Sequence, residues 1–556
     1  MSKKQKLELT WIGKEDRPRL EPRILLEDPQ LSHHAPHRVS EQDQFDNRLI
    51  KGDNLLALKA LEQEFTGQVK CVYIDPPYNT GSAFTHYDDG LEHSIWLSMM
   101  RERLEILWRL LSSDGVIYCS IDSSELFYLG LLFDEIFGRQ NRIEVLVWKK
   151  SYGGGAKSKY IVNQHEFIIC YAKDLLATEQ FFLPPDEQAL KYYKFKDQHF
   201  ESRGPYRLQP LATTSMDDRP NLRYAIIAED GSEIWPEKQW QWSKERVLAA
   251  QAKAEIVITK KNGKHTVSYK QYLRGSDGTE RQRKPMSIID GAYTQHGTYE
   301  SMELFGMVNK FSFPKPESLI YQLIESCTNP GDLVLDSFAG SGTTGAVAHK
   351  MNRRWIMVEL GEHCDTHIVP RLRKVIDGED AGGITSAVNW RGGGGFRYYR
   401  LADSLLKEDR WGNLVINRDY NAEMLSEAMC KLMGFRFAPS RDVYWQQGLS
   451  SERDYIYVTT AMLTHEQLAA LDDEVGEERS LLVCCKAFKA NVSAFQNLTV
   501  KKIPNAVLRK CEWNRDDYSL QVAELKPPEP APNRQFSLFD EVREEVLNQP
   551  GKKKRK

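Results

Sequence analysis

No CxxC pair occurs among the nine cysteines of this 556-residue chain. An odd, scattered set of that kind argues against a disulfide framework and against a zinc site. Cys71, Cys119 and Cys170 fall in apolar runs, where a reduced thiol acts as a small hydrophobe. The first residues, MSKKQKLELTWIGKEDRP, lack the apolar core of a signal peptide, and no stretch approaches the length of a membrane span. A cytoplasmic protein with no membrane partner is expected. Neither sign of charge dominates: 75 Lys and Arg stand against 78 Asp and Glu, a net charge of −3, so the chain as a whole is no polycation. That balance does not exclude nucleic acid, because a local basic stripe suffices to bind phosphates. The pattern GxxxxGK[ST] is missing, so the phosphate loop of an ATPase is missing too, and no internal repeat is found.

What is present reads as several domains, since the length is too great for one core and 41% of residues are apolar. Residues 1–44 are polar and dotted with Pro and His, and form an arm. Its HHAPH stretch has no carboxylate or cysteine set nearby, so it is solvated and holds no metal. In NRLIKGDNLLALKALEQEF, Leu55, Leu58 and Leu61 take helical spacing behind an N-cap at Gly52-Asp53-Asn54. The strand CVYID follows, then a helix with Trp96, Met100, Leu104, Leu107 and Leu111 on one face and Glu102, Arg103 and Arg109 off it. Further short apolar strands, VIYCSID and RIEVLVW, alternate with helical segments. Over 45–150 this alternation predicts a parallel, doubly wound α/β sheet. Residues 151–300 differ: irregular, aromatic-rich, and with nine Lys and Arg against three acids between Lys253 and Lys284. The βα pattern returns over 301–384, with the strand LVLD, the loop SFAGSG, a helix from Thr343 and the strand WIMVEL. A smaller α/β domain reads strand–helix–strand within 385–525. Residues 526–556 open on a Pro-rich linker and close on five basic residues.

Two strand ends carry chemistry. Gly340-Ser341-Gly342-Thr343-Thr344-Gly345 follows a strand ending at Asp336 and opens a helix, and Glu359 closes the next strand at a spacing suited to a ribose. An adenosine-containing cofactor is implied. Asp75-Pro76-Pro77-Tyr78 ends another strand, on the side where open α/β sheets place ligands. Hydride transfer gives no reason for that quartet; chemistry on an amino group of an aromatic ring does. The ring delocalises the lone pair of such an amine, and two acceptors on its N–H bonds would localise it again: the Asp75 carboxylate and the Pro76 carbonyl. Pro76 and Pro77 preorganise the acceptors, and Tyr78 offers a face for stacking.

DPPY together with FAGSG resembles the amino-group DNA methyltransferases that use S-adenosylmethionine, over about residues 47–378. The order, catalytic loop first and glycine loop second with a long insert between, resembles the permuted β group, whose insert is the target recognition domain. GDNLLALKAL, IDPPYNTGSAFTHYDD, VLVWKK, QHGTYESMELFG, FPKPESLI, DSFAGSGTT and GGGFRYYRL look like the modification subunit of type III restriction–modification systems. The fold so implied is a Rossmann-like, circularly permuted methyltransferase sheet with an inserted recognition domain at 151–300. The resemblance implies that Asp75 and Pro76 hold the target amine, Pro77 stiffens the turn and Tyr78 stacks on the base. It implies that Phe338, Gly340, Gly342 and Thr343 line the methionine end of the cofactor with Asp336 near, and that Glu359 binds the ribose. Lys315 and Pro316 would form an additional cofactor-side motif, and Asp53 would lie near the adenine. DPPY usually accompanies adenine N6, so N6 methylation of a flipped adenine in double-stranded DNA is expected, with no metal. Lys260, Lys261 and Lys264 would meet phosphates. A homodimer and a helicase–nuclease restriction subunit are the implied partners. Gln535-Phe536-Ser537-Leu538-Phe539 resembles a peptide that binds bacterial sliding clamps. An orphan enzyme, a cytosine-N4 enzyme, a nicotinamide-dependent oxidoreductase and an inactive DNA-binding regulator stay open as alternatives.

Overall fold

The structure is a computed structural model and describes residues 8–79, 89–153, 160–214, 217–261 and 263–519. The clamp-like stretch 535–539 and the basic tail lie outside the described residues. The chain divides into two compact units. One holds the residues up to Thr178, Ser287–Tyr321 and those from Asn329 onward; the other holds Glu179–Met286 and Gln322–Thr328.

The first unit is built on an eleven-stranded sheet. Its main strands are β1 (Asn47–Lys51), β2 (Val69–Ile74), β3 (Leu111–Ile121), β4 (Arg142–Lys149), β5 (His165–Ala172), β6 (Leu333–Asp336), β7 (Arg354–Glu359) and β8 (Gly395–Leu401), in the spatial order β8-β1-β7-β6-β2-β3-β5-β4. From the β6/β2 boundary the chain advances outward in both directions, to β7 on one side and to β3 on the other. That boundary is a switch point, and a crevice opens there beyond the carboxyl ends of the strands.

The sheet is mixed, where the alternation predicted a parallel one. β5 runs antiparallel to both β3 and β4. A parallel return requires a long crossover, usually a helix, and no helical pattern separates RIEVLVW from HEFIICYA, so the chain turns straight back. Two further segments depart from expectation. β8, counted from sequence with the C-terminal domain, pairs in parallel with β1. The N-terminal segment is no solvated arm throughout: Leu25–Glu27 and His33–His34 pair with β8 and cover its outer edge, and His33 Nε2 meets Asp377 Oδ1 at 2.8 Å.

Two helices pack beside the strand that ends at Ile74. In α1 (Asn54–Phe65), Leu55, Leu58 and Leu61 are buried, and Asp53 Oδ1 accepts from the amides of Leu55 and Leu56 at 2.9 and 3.1 Å. In α2 (Asp89–Leu110), Trp96, Met100, Leu104 and Leu107 are all 0% exposed. Arg103, off the apolar face by its spacing, is nonetheless buried. Its guanidinium reaches Asn54 Oδ1 at 2.5 Å and the carbonyl of Tyr518 at 3.2 Å, so the C-terminal segment closes over it. Beyond β8, Asp454–Thr464, the helix His465–Val475 and Ser480–Lys489 form a β-α-β unit within a five-stranded sheet. The second unit holds a three-stranded antiparallel sheet of Tyr206–Pro210, Ile256–Lys261 and Lys264–Tyr272, with Leu211, Tyr224, Trp240 and Val267 in its core. No helix among the described residues is long and apolar enough to cross a membrane.

Candidate active site

β2 is an apolar strand that ends at Ile74, and the next four residues are Asp75-Pro76-Pro77-Tyr78. Pro76 is buried while Asp75 and Tyr78 are half-buried. The indole of Trp96 on α2 donates to the Pro77 carbonyl at 2.8 Å and pins the turn to the helix. Four charged or polar side chains meet there. Lys315 Nζ donates to Asp75 Oδ2 at 2.7 Å and to the Tyr78 hydroxyl at 2.9 Å. The Tyr78 hydroxyl lies 2.8 Å from Asp75 Oδ1 and 3.0 Å from Glu166 Oε2, and its single proton can serve either acceptor. Glu166 Oε1 in turn accepts from Lys150 Nζ at 3.1 Å. Burial, with the charges of Asp75 and Glu166 beside it, pushes the Tyr78 phenol far up, so it stays a neutral donor. The Tyr78 hydroxyl is thus engaged by Lys315, Asp75 and Glu166, a set of contacts that the sequence reading of its ring face did not include.

The second strand end lies across the switch point. Asp336 closes β6 and is buried; it accepts from the Phe338 amide at 2.9 Å and from the Thr344 hydroxyl at 2.5 Å. Burial, reinforced by the charges of Asp75 and Glu359, pushes its carboxyl up to about 7. Gly342 has φ +75, and a Cβ there would stand 2.9 Å from Ile368. At Gly345, in the first turn of the helix Thr343–Lys350, a Cβ would lie 2.3 Å from Met357 on β7. The glycines therefore serve a tight turn and close packing of the helix against β7. Glu359 Oε2 accepts from the Gly340 amide at 2.8 Å, and Oε1 accepts from the Gly361 amide at 2.9 Å. Burial alone would raise the Glu359 carboxyl; the hydrogen bonds from His363, Gly361 and Gly340 hold it below its ordinary value.

One cavity of about 70 Å³ joins the two ends and is lined by Asp75, Lys315, Asp336, Phe338, Gly340 and Thr343, among others. Six residues singled out from sequence thus converge on one space. Asp53 does not line it. Beyond capping α1, its Oδ2 accepts from the Tyr518 amide at 2.8 Å. Lys315 is shared between the two ends: its ammonium lies on Asp75, and its carbonyl accepts from the Thr343 hydroxyl at 3.1 Å. A loop of left-handed glycines, an acid on the next strand, and a buried carboxylate whose neighbours are negative together suit a cationic nucleoside cofactor. In the second unit, Lys260 and Lys264 reach Asp230 and Glu237 at 3.0 and 2.7 Å, and Lys261 is exposed.

Sequence reasoning missed two features. Glu166 reaches the site because β5 is antiparallel, so its first residues lie at the carboxyl edge of the parallel strands; an acid opening the apolar run EFIICYA was the available signal. Beneath the glycine loop sits a sealed ion cluster. Arg371 donates to the Thr343 hydroxyl at 2.9 Å and to Glu317 at 2.9 Å, and Lys350 bonds Glu317 at 2.8 Å and Asp380 at 2.7 Å.

A family model described as DNA methylase matches residues 69–368, more than half of the chain and both strand ends. The chain belongs to this N6/N4 DNA methylase family. Among curated proteins it is 32% identical to the "Probable type III restriction-modification enzyme HindVI Mod subunit" of Haemophilus influenzae, over 66% of this chain and 55% of that one. It is also 32% identical to the type III EcoPI Mod subunit of Escherichia phage P1, over 63% of this chain and 62% of the relative. The type II methyltransferase M.KpnI of Klebsiella pneumoniae is 28% identical over 61% of this chain and 87% of its own length. The chain thus spans little more than half the length of the Mod subunits it matches.

Proposed function

We propose that this DNA methylase transfers a methyl group from S-adenosylmethionine to adenine N6 in duplex DNA. The observation that carries the proposal is the meeting of Asp75 and the glycine loop on one cavity at the switch point of the sheet. When bound, the cofactor supplies an electrophilic methyl group. The loop from Phe338 to Thr343 would hold it, with Asp336 offering negative charge and Glu359 the ribose side. Asp75 and the Pro76 carbonyl would accept the two N–H bonds of a flipped adenine and restore its lone pair for in-line attack, and Asp75 would take the proton that the amine sheds as it gains the methyl group. Extrusion of the base costs a few kcal/mol, which contacts in the crevice would offset. Lys260, Lys261 and Lys264 would contribute phosphate contacts. An Asp, rather than a Ser, at the head of the quartet favours adenine N6 over cytosine N4.

Similarity to two type III Mod subunits supports the finer reading of a modification subunit, with a homodimer and a helicase–nuclease subunit as proposed partners. Long-read mapping of modified bases tests both levels. The chain is expressed in a methylation-free host beside Asp75→Ala. N6-methyladenine on one strand of a short asymmetric site, lost in the variant, is the expected result. Methylation of both strands of a palindrome would keep the chemistry and remove the type III reading. N4-methylcytosine would replace the adenine assignment.

A further inference from the structure

We infer that Glu166 is a positioning residue for the target amine: it takes over the Lys315 ammonium and the Tyr78 hydroxyl as the base enters, and so frees both oxygens of Asp75. The inference deepens the adenine-N6 reading and rests on it. Both oxygens of Asp75 have a donor within reach in this structure: Oδ2 accepts from Lys315, and Oδ1 lies 2.8 Å from the Tyr78 hydroxyl, whose one proton it shares with Glu166. The amine of adenine is neutral. An amine that takes the place of Lys315 at Oδ2 therefore displaces a cation without bringing one, and an ammonium left without a counter-ion in a half-buried site is strongly disfavoured.

Glu166 answers both demands. Its Oε2 is already 3.0 Å from the Tyr78 hydroxyl and 3.7 Å from Lys315 Nζ, so rotation of one O–H bond and a short shift of one ammonium complete the exchange. Lys150 holds the other oxygen at 3.1 Å and keeps the carboxylate in place. Asp336, the other carboxylate on the cavity, is engaged by Thr344 and Phe338. Lys315 is thus a placeholder for the target amine. Its carbonyl is tied to Thr343 of the glycine loop, which couples the placeholder to the cofactor side.

A double-mutant cycle on the full chain tests this, with N6 methylation of methylation-free genomic DNA read as tritium transferred from S-adenosylmethionine. Glu166→Gln is expected to lower kcat/KM for DNA about 30-fold, while cofactor affinity by equilibrium dialysis stays within about twofold. In a Lys315→Met background, with no ammonium to rehouse, the same change is expected to cost less than about threefold. Glu166→Asp keeps the charge and is expected to return to within about fivefold of the wild type. Additive losses, a Glu166→Asp rate no better than that of Glu166→Gln, or loss of cofactor binding with Glu166→Gln each overturn the inference. A wild-type chain that binds the cofactor and leaves adenine unmodified overturns the adenine-N6 reading, and this one with it.

Discussion

Two four-charge clusters flank the segment Lys315-Pro316-Glu317, and they are built to opposite ends. At the turn after β2, Asp75, Glu166, Lys315 and Lys150 balance two charges of each sign with side chains 12–28% exposed. Beneath the glycine loop, Glu317, Asp380, Lys350 and Arg371 strike the same balance at 0–5% exposure. A sealed cluster cannot rearrange without stranding a charge in low dielectric, so it locks the loop it supports. A cluster that reaches solvent can exchange partners at modest cost. The lesson is that one short segment joins a fixed support to a movable contact, two residues apart.

The sharpest way to break the comparison is to remove one member of each cluster. Glu317→Ala takes the carboxylate from Arg371, leaves Lys350 with Asp380 alone, and is expected to cost about 3–5 kcal/mol of folding stability. Chemical denaturation measures it, and a loss below about 1 kcal/mol would mean that the cluster is no better sealed than a surface pair. Asp75→Asn is expected to leave the denaturation midpoint nearly unchanged and to lower methyl transfer about 10²–10³-fold, the scale of one lost preorganised contact. A large stability loss with Asp75→Asn would erase the distinction between the two clusters.

The two strand-end sites were legible because each is a contiguous motif: an acid, two prolines and a tyrosine after β2, and glycines between a strand and a helix. The rest was hidden for physical reasons. Glu317, Lys350, Arg371 and Asp380 come together only through tertiary packing, and each looks like an ordinary charged residue in the sequence. Glu166 depends on the direction of β5, and an apolar run does not reveal direction. Arg103 sits off the apolar face of α2 by periodicity, yet Tyr518, some four hundred residues later, closes over it. Helical spacing reports which face meets the sheet; it says nothing of what later covers the other.

Asp336 sharpens the comparison from between the clusters, as a buried carboxylate with hydroxyl and amide donors. Its folded pKa of about 7 lies above the ordinary 3.8, so the folded chain binds the extra proton between those values. Stability contributed by that proton is therefore complete below pH 4 and falls as pH rises toward 7. The full shift corresponds to a ceiling near about 4 kcal/mol, and because Asp336 lines the cavity, about 2 kcal/mol is expected in practice. Asp336→Asn keeps the shape without the charge: its one oxygen can accept from the Phe338 amide, and the Thr344 hydroxyl turns to accept from the new NH2. It should raise stability at pH 8 by about that amount and leave it unchanged at pH 4, as denaturation at the two pH values will read. Cofactor binding should move the opposite way. A cationic ligand favours the ionised carboxylate, so wild-type affinity for S-adenosylmethionine should rise with pH up to about 7, and the slope should vanish in Asp336→Asn. A variant that gains stability but keeps the pH slope of binding would assign that proton to another group.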